Sequence, residues 1–152
     1  RWIPTTERDQ LVRDALVAMR SLTDSMDRLH GVVRSDMDMN GYDLAALRML
    51  IVREQRGEWV SPHEIAKHLA ISTASTTKLL DRLAERGHIE RRPHPADRRA
   101  RVVVLTERAR TEFTRHLGQR MAKLRDVMDA YSDEELRSIA RFLEDMDHAL
   151  VD

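Results

Sequence analysis

Apolar side chains recur every three or four residues over the first quarter of the chain. The repeat starts near Thr5 or Thr6 and continues for about six turns, which predicts a long first helix. Its apolar positions are Leu11, Val12, Ala15, Leu16, Met19, Leu22, Met26, Leu29 and Val33. After a short polar linker, Asp43 is expected to cap a second helix that ends at Gly57.

Two short capped helices are predicted next. Ser61 is a favourable N-cap, a proline follows it, and Glu64 completes a capping box. A tight turn then leads to a second cap at Ser72 or Thr73, and this helix is expected to end at Gly87. Two short helices joined by a tight turn are the helix-turn-helix pattern.

The second of these helices has two different faces. Its predicted buried face carries Leu79, Leu80 and Leu83, with Thr76 among them. The other face is formed by Ala74, Ser75, Thr77, Lys78, Asp81 and Arg82. Small hydroxyls and long cations at the start of a helix suit a DNA groove. The same pattern also fits an ordinary solvated amphipathic helix, so this helix alone does not decide the function.

Beyond Gly87 the apolar positions alternate, as in strands. Residues 88–92 are predicted as a strand, residues 93–97 as a turn because they contain two prolines, and residues 100–105 as the return strand. Residues 58–60 are expected to add a third strand. The hairpin carries Arg91, Arg92, Arg98, Arg99 and Arg101. Arginines on such a ribbon suit a minor groove, although charges on an edge strand also prevent aggregation.

Two further helices are predicted after the hairpin. Thr106 should cap the first, and Ser132 with Glu135 forms a capping box for the second. The first has an apolar stripe of Ala109, Phe113, Leu117, Met121, Leu124, Met128 and Tyr131. Long striped helices at both ends of the chain favour a homodimer that reads two half-sites. The alternative is a bundle within one chain.

The hairpin also contains a spaced motif formed by Asp97, Arg99, Val103, Leu105 and Thr106. This spacing, and the segment from residue 79 to residue 91, resemble those of MarR-type winged helix-turn-helix regulators. The resemblance covers nearly the whole chain. The sequence departs from the family's pattern at His88, where an aliphatic residue is usual, and at Thr76, where a valine is common.

The resemblance implies a mainly α fold with a small β-hairpin wing. Residues 42–106 would form the winged helix-turn-helix DNA-binding lobe, and residues 1–35 with 107–152 the helical dimerisation region. The family also implies a small-molecule effector, often an aromatic acid, that binds between these parts and weakens DNA binding. Candidate lining residues, each of which could equally be a surface group, are His30, Arg34, Tyr42, Arg48 and Arg110.

Composition narrows the alternatives. The 152 residues include no cysteine, which excludes a disulfide scaffold and a thiol redox switch. The net charge is zero, but residues 61–102 carry nine cations and five anions, a net of +4. Residues 123–152 carry four cations and nine anions, a net of −5. This distribution would turn the basic middle of the chain toward DNA and the acidic end away from it.

Catalysis and cofactors are not expected. The seven histidines form no HExxH pair, and no phosphate loop or nucleophile elbow is present. A metal-responsive regulator with a site around His30 and His116 is the alternative. No apolar stretch suits a membrane span and no signal peptide is recognisable, so we expect a cytoplasmic protein. Because the chain begins with Arg1, we expect a short N-terminal piece to be missing.

The sequence therefore predicts a homodimeric repressor of pseudo-palindromic promoter DNA, with a winged-helix protein-interaction module as the rival. Asp97 is expected to orient a wing arginine through a salt bridge. The residues expected to contact DNA are Ser61, Thr73, Ser75, Thr77, Lys78, Arg82, Arg92, Arg98 and Arg99.

Overall fold

A computed structural model describes residues 3–151, which form helices and an antiparallel hairpin. In chain order the elements are α1 (Glu7–Asp36), α2 (Gly41–Gln55), α3 (Pro62–Leu69), α4 (Thr73–Glu85), β1 (Ile89–Pro93), β2 (Arg101–Leu105), α5 (Glu107–Asp129) and α6 (Asp133–Val151). The predicted mainly α fold with a small hairpin is confirmed.

The helix starts follow from local capping bonds. Thr6 caps α1 by accepting the main-chain N–H of Asp9 at 3.0 Å. The cap predicted for α2 is wrong by three residues, because Asn40 is the N-cap and accepts the N–H of Asp43 at 2.8 Å. Asp43 instead returns the bond as the third residue of the helix, in a capping box.

The helix-turn-helix is built as the sequence predicts. Ser61 and Glu64 form the capping box of α3, and Ser72 caps α4 by accepting the N–H of Ser75 at 3.1 Å. Between the helices Ala70 takes a left-handed conformation with φ of 54°, which costs a residue with a Cβ some strain. Gly87 ends α4 with φ of 77°, a conformation that glycine adopts without that cost.

The wing is a two-stranded antiparallel hairpin in which Ile89 pairs with Leu105 and Pro93 with Arg101. The predicted third strand at residues 58–60 is not formed. A main-chain hydrogen bond of 2.8 Å joins the N–H of Val103 to the carbonyl of Val60. The next residue, Ser61, already caps α3, so the chain turns into a helix before a ladder can extend.

The chain divides into two compact units, one up to Glu112 and the other from Phe113. The core of the first unit includes Val33, Leu47, Ile65, Leu79 and Leu83, each almost inaccessible to solvent. In the second unit, the described side chains from residue 114 to residue 151 are all at least partly exposed. The apolar side chains of α6 are therefore without a full cover in the single chain.

Candidate nucleic-acid interface

The two faces predicted for α4 are present. Thr76, Leu79, Leu80 and Leu83 are buried against the lobe. The hydroxyl of Thr76 donates to the carbonyl of Ser72 at 2.9 Å, which satisfies the polar atom inside the helix. Threonine can therefore take this buried position without leaving an unpaired hydroxyl.

The opposite face of α4 is exposed and polar. Thr73, Ser75, Thr77 and Lys78 all lie at the surface. The hydroxyl of Thr77 donates to the carbonyl of Thr73 at 3.1 Å, and the hydroxyls of Ser72 and Ser75 are 3.0 Å apart. The first turn of α4 contains no acidic residue, so its positive helix end is not offset by a carboxylate. This face can accept an anionic partner and offers several hydrogen-bonding groups.

Arg82 has an internal partner that the sequence did not reveal. Its Nη2 atom lies 2.7 Å from Oδ1 of Asp43, whose side chain is 4% exposed. A buried carboxylate needs such a partner because desolvation penalises an unpaired charge. Arg82 therefore ties α4 to the start of α2, and its predicted contact with DNA would have to share this guanidinium.

Two other arginines fix the C-terminal half of α4. Arg91 on β1 lies 2.7 Å from Asp81 on α4 and joins the helix to the wing. Arg86 donates to the carbonyls of Asp38 and Met37 at 2.7 Å and 2.9 Å, just beyond the end of α1. The helix is thus held from both sides by side chains whose partners are far away in sequence. No local motif could have identified these pairs.

The tip of the wing carries exposed arginines. Arg98 and Arg99 lie at the surface. The salt bridge expected for Asp97 stays a prediction. Oδ1 of Asp97 accepts the main-chain N–H of Arg99 at 3.1 Å. This is a local turn, typical of aspartate, so Asp97 shapes the wing backbone. Arg92 lies beside Glu90, with its Nε 2.9 Å from the carboxylate, and both are exposed.

The junction between α4, the wing and α5 is built around His88. The ring is 2% exposed, and its Nε2 lies 2.8 Å from Oε2 of Glu112. Burial raises the pKa of Glu112, but hydrogen bonds from His88 and Arg108 outweigh it, so the pKa lies below its ordinary value. The hydroxyl of Thr106 also donates to the carbonyl of Gly87 at 2.6 Å. The histidine that stands at position 88 in place of an aliphatic residue thus forms a buried polar contact with Glu112 of α5.

The five predicted effector residues have different surroundings. His30 is half-buried, and its pKa is lowered by burial first and by the charge of Arg48 second. Arg34 and Tyr42 are exposed. Arg110 donates to Glu54 through Nε at 3.1 Å and to the carbonyl of Leu105 at 3.2 Å. Arg110 therefore fastens α5 to α2 and β2, and much of its hydrogen-bonding capacity is already used.

No group of three or more histidine, aspartate or glutamate side chains within residues 3–151 is arranged to hold a metal ion.

None of the helices formed by residues 3–151 is both long enough and apolar enough to cross a membrane.

Comparisons with known proteins agree with this architecture. A family model described as "MarR family" matches residues 40–100, which span the helix-turn-helix and the turn of the wing. The HTH-type transcriptional repressor YetL of Bacillus subtilis is 32% identical over 98 residues, covering 64% of this chain and 59% of YetL. The chain thus matches about three fifths of the length of that relative.

Solved structures show the same fold. A MepR mutant from a multidrug-resistant S. aureus clinical isolate superimposes with a TM-score of 0.71 at 18% identity, covering 90% of this chain and 96% of MepR. Another S. aureus MepR mutant, bound to an oligodeoxyribonucleotide, gives 0.55 at 19% identity, covering 90% and 97%. The relative and the family are regulators rather than enzymes, as expected. The chain therefore resembles transcriptional regulators of the MarR family, and its match to that family's model spans residues 40–100.

Proposed function

We propose that this protein is a cytoplasmic homodimeric regulator that binds pseudo-palindromic promoter DNA, acts as a repressor, and is released from DNA by a small molecule. The observation that carries the proposal is the exposed hydroxyl and lysine face of α4 beside a wing tip with two exposed arginines. One element would enter the major groove while the other reaches the adjacent minor groove.

The side chains of the interface would contact different parts of the DNA. Ser75, Thr77 and Lys78 would contact bases and backbone from α4, because hydroxyls and lysine can donate to base edges and phosphates. Thr73 and Ser61 would contact phosphates at the starts of α4 and α3. Arg98 and Arg99 would enter the minor groove, and Arg92 with Arg82 would add positive charge at the flanks despite their acidic partners.

The arginine contacts within the lobe support the proposed DNA contacts indirectly. Arg82, Arg86 and Arg91 hold α4 against α2, the end of α1 and the wing. A recognition helix needs a fixed orientation, because base contacts depend on placement within a fraction of an ångström. The same fold is found with an oligodeoxyribonucleotide in the MepR mutant.

The dimer is supported by apolar surface on the helices at both ends of the chain. On α1 the exposed apolar side chains include Leu11, Val12, Leu16, Val17, Leu22, Met26 and Val32. On α6 they are Ile139, Phe142, Leu143, Leu150 and Val151. Exposed apolar side chains in such numbers are costly in water and typically mark an interface. A second copy would cover it, with residues 1–35 and 107–152 as the dimerisation region.

An effector would act by preferring the form of the dimer that does not fit DNA. Half-buried His30 and exposed Arg48 support this site, because the charge of Arg48 contributes to lowering the pKa of His30, after burial. Arg34 and Tyr42 would add exposed groups. An anionic or aromatic molecule would suit this arginine-rich composition.

Selection from a random duplex DNA pool tests the proposed function. We expect enrichment of an inverted repeat whose half-sites lie about one helical turn apart, because a two-fold protein presents two α4 helices. A protein in which Lys78 and Arg99 are both alanine is the matched control and should enrich nothing. Failure of the unaltered protein to enrich any sequence would favour the rival role as a protein-interaction module.

A further inference from the structure

A cleft of about 230 Å3 lies within the first unit, between the C-terminal half of α2 and β2 of the wing. Its apolar lining is formed by Leu50, Trp59, Val60 and residues 103–105. A dry apolar cavity of about 150 Å3 is enough to hold benzene. The cleft is therefore large enough for a substituted single ring, and Trp59, half exposed, offers a flat apolar wall.

The charged groups at the cleft already have partners. Glu54 accepts a hydrogen bond from Nε of Arg110 at 3.1 Å, and Glu58 lies 3.0 Å from Nε of Arg53. Each carboxylate in the lining is thus neutralised by an arginine. A charged molecule entering the cleft would lose hydration without gaining an unpaired counter-charge, which is unfavourable. The cleft therefore favours an uncharged ligand.

One main-chain donor gives the cleft a polar anchor. The N–H of Val103 points to the outer edge of β2, where it donates to the carbonyl of Val60. Alternation in an antiparallel strand directs the N–H of Leu105 to the same edge, and Leu105 also lines the cleft. A ligand that carries a hydrogen-bond acceptor could pair with the N–H of Leu105. Many binding pockets combine apolar walls with a few polar groups in this way.

We propose that this cleft binds a small, flat, uncharged molecule with a hydrogen-bond acceptor, of the chemical class of an aromatic ketone. The site differs from the surface around His30 and Arg48, and its ligand would be neutral rather than anionic.

A ligand in the cleft could affect the position of the wing through two contacts. β2 forms one wall, and the ring of Trp59 meets the ring of His94 edge-on at the turn of the hairpin, with centroids 5.9 Å apart. A ligand that shifts either wall would bias the position of the wing. This consequence rests on the proposed DNA-binding function, whereas binding to the cleft does not.

Methyl and indole NMR spectra of the full chain test the proposal with three probes of similar size: acetophenone, benzoate and benzylamine. We expect saturable shifts for the methyls of Leu50, Val60 and Val103 and for the indole N–H of Trp59 on addition of acetophenone. Benzoate and benzylamine should bind at least about tenfold more weakly, because each carries a charge into a site without an unpaired counter-charge.

Two variants locate the binding. Val104→Phe should fill the cleft and abolish the acetophenone shifts, whereas Val52→Phe, the same change at an exposed position on α2, should leave them unchanged. Trp59→Ala removes one wall without touching the buried core and should weaken binding. Absence of saturable shifts, equal binding of a charged probe, or unaltered binding by Trp59→Ala would overturn the proposal. Because the spectra are recorded without DNA, these results are independent of DNA binding.

Discussion

At the scale of single residues, the arginines of the winged lobe have two roles. Arg82, Arg86 and Arg91 contact acceptors within the protein. Arg98 and Arg99 lie exposed on the wing turn. Substitution should separate these roles. Changing an internally bonded arginine should lower the stability of the lobe, whereas changing an exposed arginine of the wing should lower the affinity for DNA.

Arg99→Ala should lower the affinity for a selected DNA site by about 1–3 kcal/mol, because a base or groove contact is lost. Its free energy of unfolding should stay unchanged, since the side chain is exposed. Fluorescence anisotropy measures the affinity. Arg20→Ala removes the same charge from α1 and should have little effect, and equal affinities of Arg99→Ala and the unaltered protein would exclude the wing contact.

Arg82→Met should lower the free energy of unfolding by about 1–3 kcal/mol, because the buried Asp43 then lacks its charged partner. Urea titration measures this change. Adding Asp43→Asn removes the unpaired charge and should restore part of the loss. If the losses of unfolding free energy in Arg82→Met and Asp43→Asn simply add in the double variant, the two side chains do not interact.

At the scale of elements, the wing is joined to α5 through His88 and Glu112. The pKa of Glu112 is lowered on folding, so the ionised form is favoured in the native state. Its contribution to stability is complete above the ordinary glutamate pKa and is lost as the pH falls through the lowered value. Between neutral pH and that range, Glu112→Gln should show a smaller loss of stability on acidification than the unaltered protein.

Chemical denaturation at a series of pH values measures this difference. Glu85→Gln is the matched control, since Glu85 is an exposed glutamate at the end of α4. It should follow the pH dependence of the unaltered protein. If Glu112→Gln also follows it, the link between the wing and α5 does not depend on the ionised carboxylate.

The elements also show what the sequence could predict. The starts of α1, α3, α4 and α6 depend on capping side chains three residues away, and these local signals were sufficient. The third strand at residues 58–60 depends on pairing with a distant strand, and the cap at Ser61 limits that pairing to the single bond with Val103. Alternating residues alone could not reveal this competition.

The candidate interface was predictable to a similar extent. The exposed positions on α4 and the wing follow from helical and strand periodicity, so Ser75, Lys78 and Arg99 could be placed at the surface. The partner of Arg82 could not be predicted, because Asp43 lies on another helix and serves as a capping residue in the local pattern. Long-range ion pairs depend on tertiary packing and leave no local spacing.

At the scale of the whole molecule, the exposed apolar side chains predict self-association. Leu16→Glu places a charge within the apolar surface of α1, where Leu16 is 49% exposed. Sedimentation should find the unaltered protein as a dimer and this variant as a monomer or a much weaker dimer. Ser21→Glu adds the same charge to a polar exposed position of α1 and should remain dimeric. A monomeric unaltered protein at micromolar concentration would contradict the proposed assembly.

Binding of DNA by the α4 face and the wing, through contacts with phosphates and bases, is the function that we propose for the lobe. Its most direct test is the affinity of the unaltered protein for a selected duplex, measured by anisotropy over a series of salt concentrations. We expect saturable binding whose log affinity falls linearly with log salt, with a slope of about −0.9 for each phosphate contacted. Absence of saturable binding at low salt would contradict it.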